Sequence, residues 1–566
     1  MAATARTPLV QSSRLARPLF ISILLGLASA ILLDFCFPVA GPLPRWRSLI
    51  AWFAFVPLLF ALLEARAAAH PRYLRRAALT GYLCGVLWYI LNCYWIYQTM
   101  FYYGHVPPLG AAGILVLFSL VLGLYFGLFG LGLAFFRRRF GLSAALVLAP
   151  FLWTALELAA ARITSVPWDQ LGYSQVDHTG ITKIVPYTGV YGITFFLLCG
   201  NACFLGPFLS PRNPTRHTYV PGLILAGLLV LVTFFGPSNP PPAPTSDYAV
   251  LIQPNIDVEP PDNWIGPEWE GDVQWIVNQA RETCTPAYAG MPEPNTPPPN
   301  RTCAENLAPP GIVLWPEVGS WFRSDDPRTI ALVDQVATSA RAPFVAGMFG
   351  VDATGTYNSA VFTHADGSIA GRYDKIHLVP FGEYVPYRDL FFFAKKLTHQ
   401  LVDLQRGHER TLFESGGHRF GVFICYESVF ADEVRLFAKN GAEVLINISD
   451  DGWYGDTSAP WQHLNMARMR AIENARWILR DTNNGVTTVI DPYGRVTVSA
   501  PRHTLTSLVA RYGYRSDVTF YTRHGDVFAY FCCAVCVLAI ILGLLRAGIL
   551  SGRDPDGRTS SSTSAV

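Results

Sequence analysis

Long apolar runs recur along the first 236 residues, and each approaches or exceeds the ~20 residues with which a helix crosses a bilayer core. These runs lie at 19–40, 48–65, 77–98, 109–135, 142–163, 185–209 and 219–236. One more follows near the end of the chain, at 527–545. The pattern therefore predicts eight membrane-spanning helices. The first run resembles a signal peptide, but the further spans and the lack of a small-residue cleavage site favour a retained helix.

The pattern changes between the last two spans, where short strand-like runs alternate with helical ones. The strand-like runs are Tyr248–Gln253, Ile312–Trp315, Phe344–Gly347, Asn358–Thr363, Gly421–Cys425, Val444–Ile448, Ile478–Arg480 and Val486–Ile490. The helical candidates are Trp269–Glu282, Arg328–Arg341, Ala431–Asn440 and Trp461–Trp477. Alternation of this kind indicates a layered α/β domain. The chain thus divides into a seven-helix membrane domain at 1–236, an α/β domain at 237–526, and the eighth span with a tail at 527–566.

Two stretches of the α/β domain interrupt this alternation. Residues 284–310 are rich in proline and lack periodicity, which predicts a surface loop. Cys284 and Cys303 flank that loop and would be able to pair in an oxidising compartment. The segment Asp389–Leu404 places three aromatic side chains beside two lysines. It fits an interfacial helix or lid that touches lipid as well as it fits a packed core helix, and its candidate lid residues are Phe391, Phe392 and Phe393.

Composition supports the membrane assignment. Of 566 residues, 51% are hydrophobic and only 15% are charged, whereas soluble domains carry roughly 25% charged residues. The net charge of +2 gives no indication of a nucleic-acid partner, and none is predicted.

Basic residues in the short loops predict the orientation of the spans. Arginines cluster at the N-terminus, after spans two, four and six, and in the C-terminal tail, while the alternating loops are poorer in Lys and Arg, with Arg45 and Arg47 as a mild exception. Both termini are therefore expected in the cytoplasm. The α/β domain then faces outward, which is the periplasm if the chain belongs to the inner membrane of a bacterium.

Three polar or reactive residues of the α/β domain follow strand-like runs: Glu317, Lys375 and Cys425. Each has an ordinary explanation when taken alone, as a helix-start acid, a solvated lysine and a packed core cysteine. Together they supply a base, a cation and a nucleophile. A thiol at the carboxyl end of a buried strand is also where such a sheet presents a nucleophile.

These three groups suit acyl transfer. A free thiol has a pKa near ~8.5 and needs a base or a cation to become a thiolate at neutral pH. Glu317 would take the thiol proton and return it to the leaving alkoxide. Lys375 would lower the thiol pKa and, with a backbone N–H after the nucleophile, stabilise an oxyanion. Glu383 and Glu427 would hold Lys375 or an attacking amine. His377 and His463 are isolated in the sequence, so neither a metal nor a cofactor is predicted.

This order of Glu, Lys and Cys resembles the nitrilase superfamily, and the whole chain resembles its membrane-integrated branch, the apolipoprotein N-acyltransferases. Joint occurrence of several motifs in order makes the resemblance specific. The motifs are V-P-W-D-Q-L-G-Y-S-Q (Val166–Gln175), Q-P-N (Gln253–Asn255), Y-N-S (Tyr357–Ser359), K-I-H-L-V-P-F-G-E-Y-V-P (Lys375–Pro386), I-C-Y-E (Ile424–Glu427), D-G-W-Y-G-D-T-S-A-P-W-Q-H (Asp451–His463), M-A-R-M-R-A-I-E (Met466–Glu473) and T-N-N-G-V-T (Thr482–Thr487).

The resemblance implies a four-layer αββα sandwich and a Glu317–Lys375–Cys425 triad. It implies that Cys425 takes an acyl chain from a membrane phospholipid as a thioester and passes it to the α-amine of a diacylglyceryl-modified apolipoprotein. It also implies supporting roles for Glu383, Tyr426 and Glu427, and more loosely for Trp264 near the site. A monomer is expected. The sequence V-G-S-W-F after Glu317 departs from the family pattern and affects only the loops over the site.

Two alternatives stay open at this stage. A membrane-anchored nitrilase-type amidase would keep the triad but act on a small amide without a lipid donor. A membrane scaffold or transporter with an inert outer domain would not need the thiol, so Cys425→Ala would leave its function intact.

Overall fold

The computed structural model describes residues 9–209, parts of 222–232, residues 239–258, 268–292, 296–297, 299–303, 308–317, 322–380, 382–384 and 404–551. Its first half is helical. The helices are Leu9–Asp34, Arg45–Ser48, Val56–Leu63, Ala65–Ala68, Tyr73–Asn92, Trp95–Tyr102, Pro108–Phe140, Leu142–Ala159, Thr179–Thr182, Val185–Thr188 and Val190–Leu209, with a last long helix at Val527–Ser551.

Several of these helices fit a membrane domain. Within the described residues, four segments are long and apolar enough to cross a bilayer: Arg45–Leu63, Pro108–Phe140, Leu142–Thr164 and Val527–Arg546. A fifth arises if Tyr73–Asn92 and Trp95–Tyr102, which meet at 50°, form one broken span. Shorter apolar helices, Leu19–Asp34 and Val190–Leu205, stand where spans one and six were predicted. The predicted span at 219–236 lies largely outside the described residues, so a total of eight stays a prediction.

The α/β domain is built on two main sheets. One has six strands in the order β15-β1-β5-β6-β7-β8, the other has seven in the order β3-β14-β13-β12-β11-β10-β9, and β2 pairs with β4 separately. The strands are β1 Asp247–Gln253, β2 Cys284–Pro286, β3 Tyr288–Ala289, β4 Arg301–Cys303, β5 Ile312–Trp315, β6 Phe344–Asp352, β7 Gly355–Thr363, β8 Ile369–Asp374, β9 Leu412–Ser415, β10 His418–Ile424, β11 Val444–Ser449, β12 Trp477–Thr482, β13 Thr488–Ile490, β14 Val496–Ser499 and β15 Thr506–Tyr512.

The two sheets pack face to face, with β1 and β5 of one sheet against β12 of the other. Helices Trp269–Ala280 and Pro327–Ala340 cover the outer face of the six-stranded sheet, and Ala431–Lys439 and Ala459–Asn474 pack on the seven-stranded sheet. Both central strand groups are buried and rich in β-branched and aromatic residues, as sheets covered on both faces require. The predicted α/β sandwich with αββα layers is confirmed.

Parallel pairing brings the candidate residues to one edge. Strands β1, β5 and β6 run parallel, and β8 shares their direction because β6–β7 and β7–β8 are both antiparallel. In the other sheet β10, β11 and β12 are parallel. Residues that follow β5, β8, β10 and β11 therefore emerge from the carboxyl ends of their strands, where α/β proteins bind ligands.

The helix Ala459–Asn474 joins the two halves of the molecule. All sixteen of its residues are buried. Polar groups of the membrane half satisfy its polar side chains: Arg468 Nη2 lies 2.5 Å from Asp177 Oδ1, and Arg470 Nη2 donates to Tyr173 Oη at 3.0 Å. These charges are buried because the loop at Val166–Gln175 and its neighbours supply their partners.

The proline-rich insertion carries a disulfide between Cys284 and Cys303, which joins β2 to β4. Thr285 of β2 donates from its hydroxyl to the carbonyl of Ser507 on β15, so the paired strands are held against the six-stranded sheet. The two ends of the insertion thus form a strand pair held against the sheet, whereas the sequence predicted a surface loop.

Candidate active site

Cys425 is the first residue after β10 and opens the short 3₁₀ turn Cys425–Val429. Its φ of +48° lies in the left-handed region, which non-glycine residues adopt rarely and mostly where surrounding structure fixes them. The preceding residue, Ile424, is held in parallel register with Ile448 of β11. The side chain is 5% exposed. The turn thus holds the thiol in one place at the edge of the sheet.

Glu317 and Lys375 meet at this edge. Glu317 lies two residues beyond β5, and Lys375 follows β8 directly. Lys375 Nζ lies 2.9 Å from Glu317 Oε1 and 2.9 Å from Glu383 Oε1. The cation is 1% exposed, so both of its carboxylate contacts are shielded from water. The arrangement brings together three of the residues that were predicted from the sequence.

Asn358 of β7 completes this cluster and was missed in the sequence analysis. Its side-chain Nδ2 donates to Glu317 Oε1 and to Glu383 Oε1, both at 2.6 Å, and its backbone carbonyl accepts from the backbone N–H of Lys375 at 2.8 Å. The side-chain amide therefore holds the two carboxylates on either side of the lysine. The quoted motif Tyr357–Ser359 contained the signal, since a polar residue inside a buried strand needs a partner.

Electrostatics favour a charged cluster with a protonated thiol. Burial opposes the charge of Lys375, but Glu317 and Glu383 raise its pKa well above the usual lysine range. Burial also opposes ionisation of Glu317, yet Lys375 and the hydrogen bonds from Asn358 and the Asp450 N–H lower the pKa of that carboxyl. Glu317 is therefore an anion at neutral pH, as a proton acceptor must be.

The thiol differs from expectation. Burial, and next the Glu317 charge, raise the pKa of Cys425 well above its ordinary value, although Lys375 acts in the lowering direction. The sequence analysis had expected Lys375 to lower the thiol pKa. That interaction exists but is outweighed by the burial of the thiol, to which the charge of Glu317 adds. Proton removal thus falls to Glu317 during the reaction.

Glu427 has a structural position. Its carboxylate is fully buried and accepts from four donors: the Tyr373 hydroxyl, whose oxygen lies 2.8 and 2.9 Å from the two carboxylate oxygens, and the backbone N–H groups of Ile376, His377 and Ile424. It therefore ties the segment after Lys375 to the end of β10. This position suits holding Lys375 and Cys425 in register, whereas Glu383 is the acid that contacts Lys375 directly.

A second polar network lies behind Cys425. Asp451 receives hydrogen bonds from Ser449 Oγ at 2.9 Å and from Arg480 Nη2 at 2.7 Å. His463 Nδ1 lies 3.0 Å from Asp451 Oδ1, and its Nε2 donates to the carbonyl of Cys425 at 3.0 Å. All four side chains are fully buried. The quoted motif Asp451–His463 held two of these residues, but nothing in their spacing indicated that they meet.

Asp450 is a further buried acid at this edge. Its backbone N–H donates to Glu317 Oε2 at 2.9 Å, and its carboxylate accepts from the N–H of Gly452 and from Asn483 Nδ2. Burial, together with the neighbouring charge of Glu317, raises the pKa of Asp450 to about 7. The group therefore changes its charge near neutral pH beside the candidate base.

Trp168 of the membrane half packs on this network. Its ring stacks on His463 with centroids 6.0 Å apart and planes 17° from parallel, and its Nε1 donates to Gln462 Oε1 at 2.8 Å. Trp168 is 4% exposed, because the helix Ala459–Asn474 covers it.

A mostly apolar cavity of about 450 Å³ opens beside this contact. It lies between the helix end around Ile90–Asn92, Leu115, Val39 and Ser458 at the start of the buried helix. Trp264, Phe391, Phe392 and Phe393 lie outside the described residues. Among the residues that the structure describes, no group of three His, Cys, Asp or Glu side chains is suited to hold a metal ion.

Comparisons with known proteins cover both halves. The sequence profile of the carbon-nitrogen hydrolase family matches residues 302–512, and that of the apolipoprotein N-acyltransferase N-terminal domain matches residues 29–203. An apolipoprotein N-acyltransferase from Geobacter metallireducens is 30% identical over 540 residues, covering 93% of this chain and 96% of that protein. Its counterpart from Methylococcus capsulatus is 31% identical over 524 residues, covering 91% and 94%.

Proposed function

The chain belongs to the apolipoprotein N-acyltransferase family, and from that premise we propose that it acylates apolipoproteins through a thioester on Cys425. The acyl donor is a membrane phospholipid and the acceptor is the α-amine of an N-terminal S-diacylglyceryl cysteine. The observation that carries this proposal is the buried contact of Lys375 with Glu317 and Glu383 at the sheet edge that presents Cys425.

In the first step Glu317 accepts the Cys425 proton, and the sulfur attacks the ester carbonyl of the phospholipid. The raised thiol pKa and the lowered Glu317 pKa support a proton transfer that occurs during attack, without a resting thiolate. Lys375 Nζ and the backbone N–H of Tyr426 stabilise the oxyanion. The tetrahedral intermediate then collapses, the C–O bond breaks, and the lysophospholipid alkoxide takes the proton from Glu317. The product is an acyl thioester.

In the second step the lipoprotein amine attacks the thioester carbonyl, and Glu317 accepts the amine proton. The C–S bond breaks as the amide forms, and the thiolate recovers its proton from Glu317. Glu383 keeps Lys375 in place through both steps, since it shares the lysine with Glu317 and holds its own second oxygen on the N–H of Val379 at 2.7 Å. Two substrates thus use one site in turn, which is a ping-pong sequence.

We further propose eight membrane spans with both termini in the cytoplasm, a periplasmic domain at 237–526 and a monomeric enzyme in the bacterial inner membrane. The apolar helices and the arginine-rich alternate loops support this arrangement. The mostly apolar cavity near Ile90, Leu115 and Ser458 supports access for an acyl chain from the bilayer. The aromatic residues Phe391, Phe392, Phe393 and Trp264 are proposed as contacts of the lid over the site.

Intact-mass analysis of the full chain in phospholipid–detergent micelles tests the first step. We expect the wild-type protein to gain the mass of one acyl chain on Cys425 and to lose it when a diacylglyceryl-cysteine peptide is added. Cys425→Ala should never gain it, and Lys375→Ala or Glu317→Ala should slow it by roughly 10²–10³-fold or more. Cys84→Ala and Lys439→Ala are matched controls, because they alter a buried cysteine and an exposed lysine elsewhere.

Two results would contradict the proposal. One is acylation that persists in Cys425→Ala, which would move the nucleophile to another residue. The other is hydrolysis of a small amide with no acyl transfer from phospholipid, which is the behaviour of an anchored amidase.

A further inference from the structure

We propose that Ser449 is a further catalytic residue, whose hydroxyl turns toward the Cys425 sulfur when the thiolate forms, while Asp451 remains held by Arg480. The inference rests on the proposed role of Cys425 and adds a hydrogen-bond donor from the end of β11.

Strand register places the two residues together. Ile424 of β10 and Ile448 of β11 are partners in a parallel ladder, so the next residue on each strand, Cys425 and Ser449, emerges from the same edge. Both side chains are buried, and Ser449 is 0% exposed. In addition to this proximity, Ser449 acts in the direction that lowers the pKa of the Cys425 thiol, against burial and the Glu317 charge.

The hydroxyl has two acceptors and one hydrogen. In the resting state it donates to Asp451 Oδ1 at 2.9 Å, so a neutral thiol is able to donate to the serine oxygen. Once Glu317 has removed the thiol proton, the sulfur becomes the stronger acceptor, and the hydroxyl hydrogen turns to it. No proton leaves Ser449 in this step: one hydrogen bond is exchanged for another.

Asp451 tolerates the loss of that hydrogen bond. Arg480 Nη2 lies 2.7 Å from Asp451 Oδ2 and 3.0 Å from Oδ1, and it also lies 3.1 Å from His463 Nδ1, the ring nitrogen that accepts. Burial opposes the charge of Asp451, but Arg480 holds the pKa of that carboxyl well below its usual range. The carboxylate therefore stays ionised and compensated whichever way the hydroxyl points. Without Asp451, the Ser449 hydroxyl would have no second acceptor beside the sulfur.

The same network reaches the backbone of the nucleophile. His463 Nε2 donates to the carbonyl of Cys425, whose φ is +48°. The left-handed conformation would otherwise be free to relax, so His463 acts as a positioning residue while Ser449 contacts the reacting atom. Ser449→Ala removes the hydroxyl and leaves His463, Arg480 and Asp451 in contact with one another.

The pH dependence of Cys425 alkylation by iodoacetamide tests the proposal, with the labelled peptide identified by mass spectrometry in the full chain. A hydrogen bond to a charged acceptor is strong enough to shift a pKa by about one unit. We therefore expect Ser449→Ala to move the inflection upward by about one pH unit and to slow alkylation about tenfold below it. Ser449→Thr keeps a hydroxyl and should restore most of the rate. The acylation rate at saturating phospholipid should fall in parallel.

The matched control is Ser428→Ala. Ser428 lies three residues after Cys425 and is also buried, but its Oγ has no hydrogen-bond partner among the described residues. Its removal should leave the alkylation profile unchanged.

If the alkylation profile of Ser449→Ala superposes on that of the wild type, the role of Ser449 is overturned, while the proposed thioester on Cys425 is unaffected. The role is also overturned if Ser449→Ala and Ser449→Thr lose equal alkylation rate with unchanged inflections, because that would indicate a packing effect. If Ser449→Ala does not fold, Ser449→Cys decides the matter. Its thiol is a weaker donor of similar size, so an intermediate inflection supports the proposal and a wild-type inflection contradicts it. Absence of any acyl-enzyme in the wild type would instead refute the proposed function itself.

Discussion

The hydroxyl of Tyr426, the residue directly after Cys425, donates to the backbone carbonyl of Ser165 at 3.1 Å. Ser165 ends the segment that follows the membrane helix Leu142–Ala159, so the nucleophile's own turn is attached to the membrane half. Tyr426 also packs edge-on against Phe430, with ring centroids 5.2 Å apart. Tyr426 therefore makes one polar contact, through its hydroxyl, and one apolar contact, through its ring, and the two are able to be removed separately.

Replacing Tyr426 tests what that tether contributes. Tyr426→Phe keeps the ring against Phe430 and removes only the hydrogen bond to Ser165, so we expect a modest loss of acylation rate, about two- to tenfold, with unchanged thermal stability within ~1 kcal/mol. Tyr426→Ala also removes the ring and should lose far more. Acyl-enzyme formation under single-turnover conditions measures both. Equal losses in Phe and Ala would assign the effect to the hydroxyl alone.

Glu427 should contribute mainly to stability. Its carboxylate is fully buried and accepts from four donors, one O–H and three backbone N–H groups. Glu427→Gln replaces one of the two carboxylate oxygens by an NH₂ group. That group is a donor, so the buried donors that pointed at the oxygen are left without an acceptor. We expect a loss of about 2–4 kcal/mol in the free energy of unfolding. Glu414→Gln on the exposed side of β9 is the matched control and should change it by less than about 0.5 kcal/mol.

A destabilised Glu427→Gln should also lose activity by letting Lys375 and Cys425 drift apart. If that variant unfolds like the wild type yet is inactive, Glu427 takes part in the chemistry and the positioning role is wrong. Denaturant unfolding followed by intrinsic tryptophan fluorescence distinguishes the two outcomes.

The sandwich was largely predictable, because buried strands carry their pattern locally. Runs such as Ile312–Trp315 and Val444–Ile448 match β5 and β11 almost to the residue. Edge strands such as β8 and β9 were missed, since their half-exposed residues show no apolar run. Glu317 and Cys425 were predicted because each follows a buried strand, whereas Lys375 was assigned to the earlier run Asn358–Thr363 and in fact follows β8.

Long-range partners were not predictable from spacing. Asn358 meets Glu317 only because β5, β6, β7 and β8 follow one another in a single sheet, whereas the contact of Glu383 with Lys375, eight residues away, was predicted. His463 was judged isolated, yet it contacts the Cys425 carbonyl across 38 positions of sequence. Charged residues of the helix Ala459–Asn474 find partners in the membrane half, at Asp177 and Tyr173. Such contacts are set by topology, which local patterns do not encode.

Asp450 should make stability depend on pH. Its pKa in the folded protein is about 7, whereas an unfolded aspartate titrates near ~3.9. Between these values the folded state holds a proton that the unfolded state has lost, so stability falls as pH rises, by up to about 1.4 kcal/mol per unit, and the slope ends above pH 7. Asp450→Asn removes this contribution.

The difference in melting temperature between Asp450→Asn and the wild type should therefore grow from pH 5 to pH 7 in favour of the variant, and then level off. Asp334→Asn replaces an exposed carboxylate and serves as the control. A difference that stays constant over this range would show that Asp450 titrates normally in the folded protein. Detergent composition and salt are held fixed, because both change melting temperatures independently.

The disulfide Cys284–Cys303 provides a test of orientation as well as of stability. It closes a loop of about 19 residues, which by chain-entropy arguments stabilises the domain by roughly 3 kcal/mol. The double variant Cys284→Ser, Cys303→Ser should lose roughly 3 kcal/mol in the free energy of unfolding, and its denaturation midpoint should fall accordingly. Dithiothreitol should lower the midpoint of the wild type to that of the variant. Cys203→Ser, which alters a partly exposed free thiol, should have no such effect.

Because disulfides persist only in oxidising compartments, protein extracted from cells under thiol-trapping alkylation should carry this pair fully oxidised if the domain faces the periplasm. Trapped free thiols at both positions would place the domain on the reducing side and reverse the proposed orientation of every span, since the short loops alternate sides from one helix to the next.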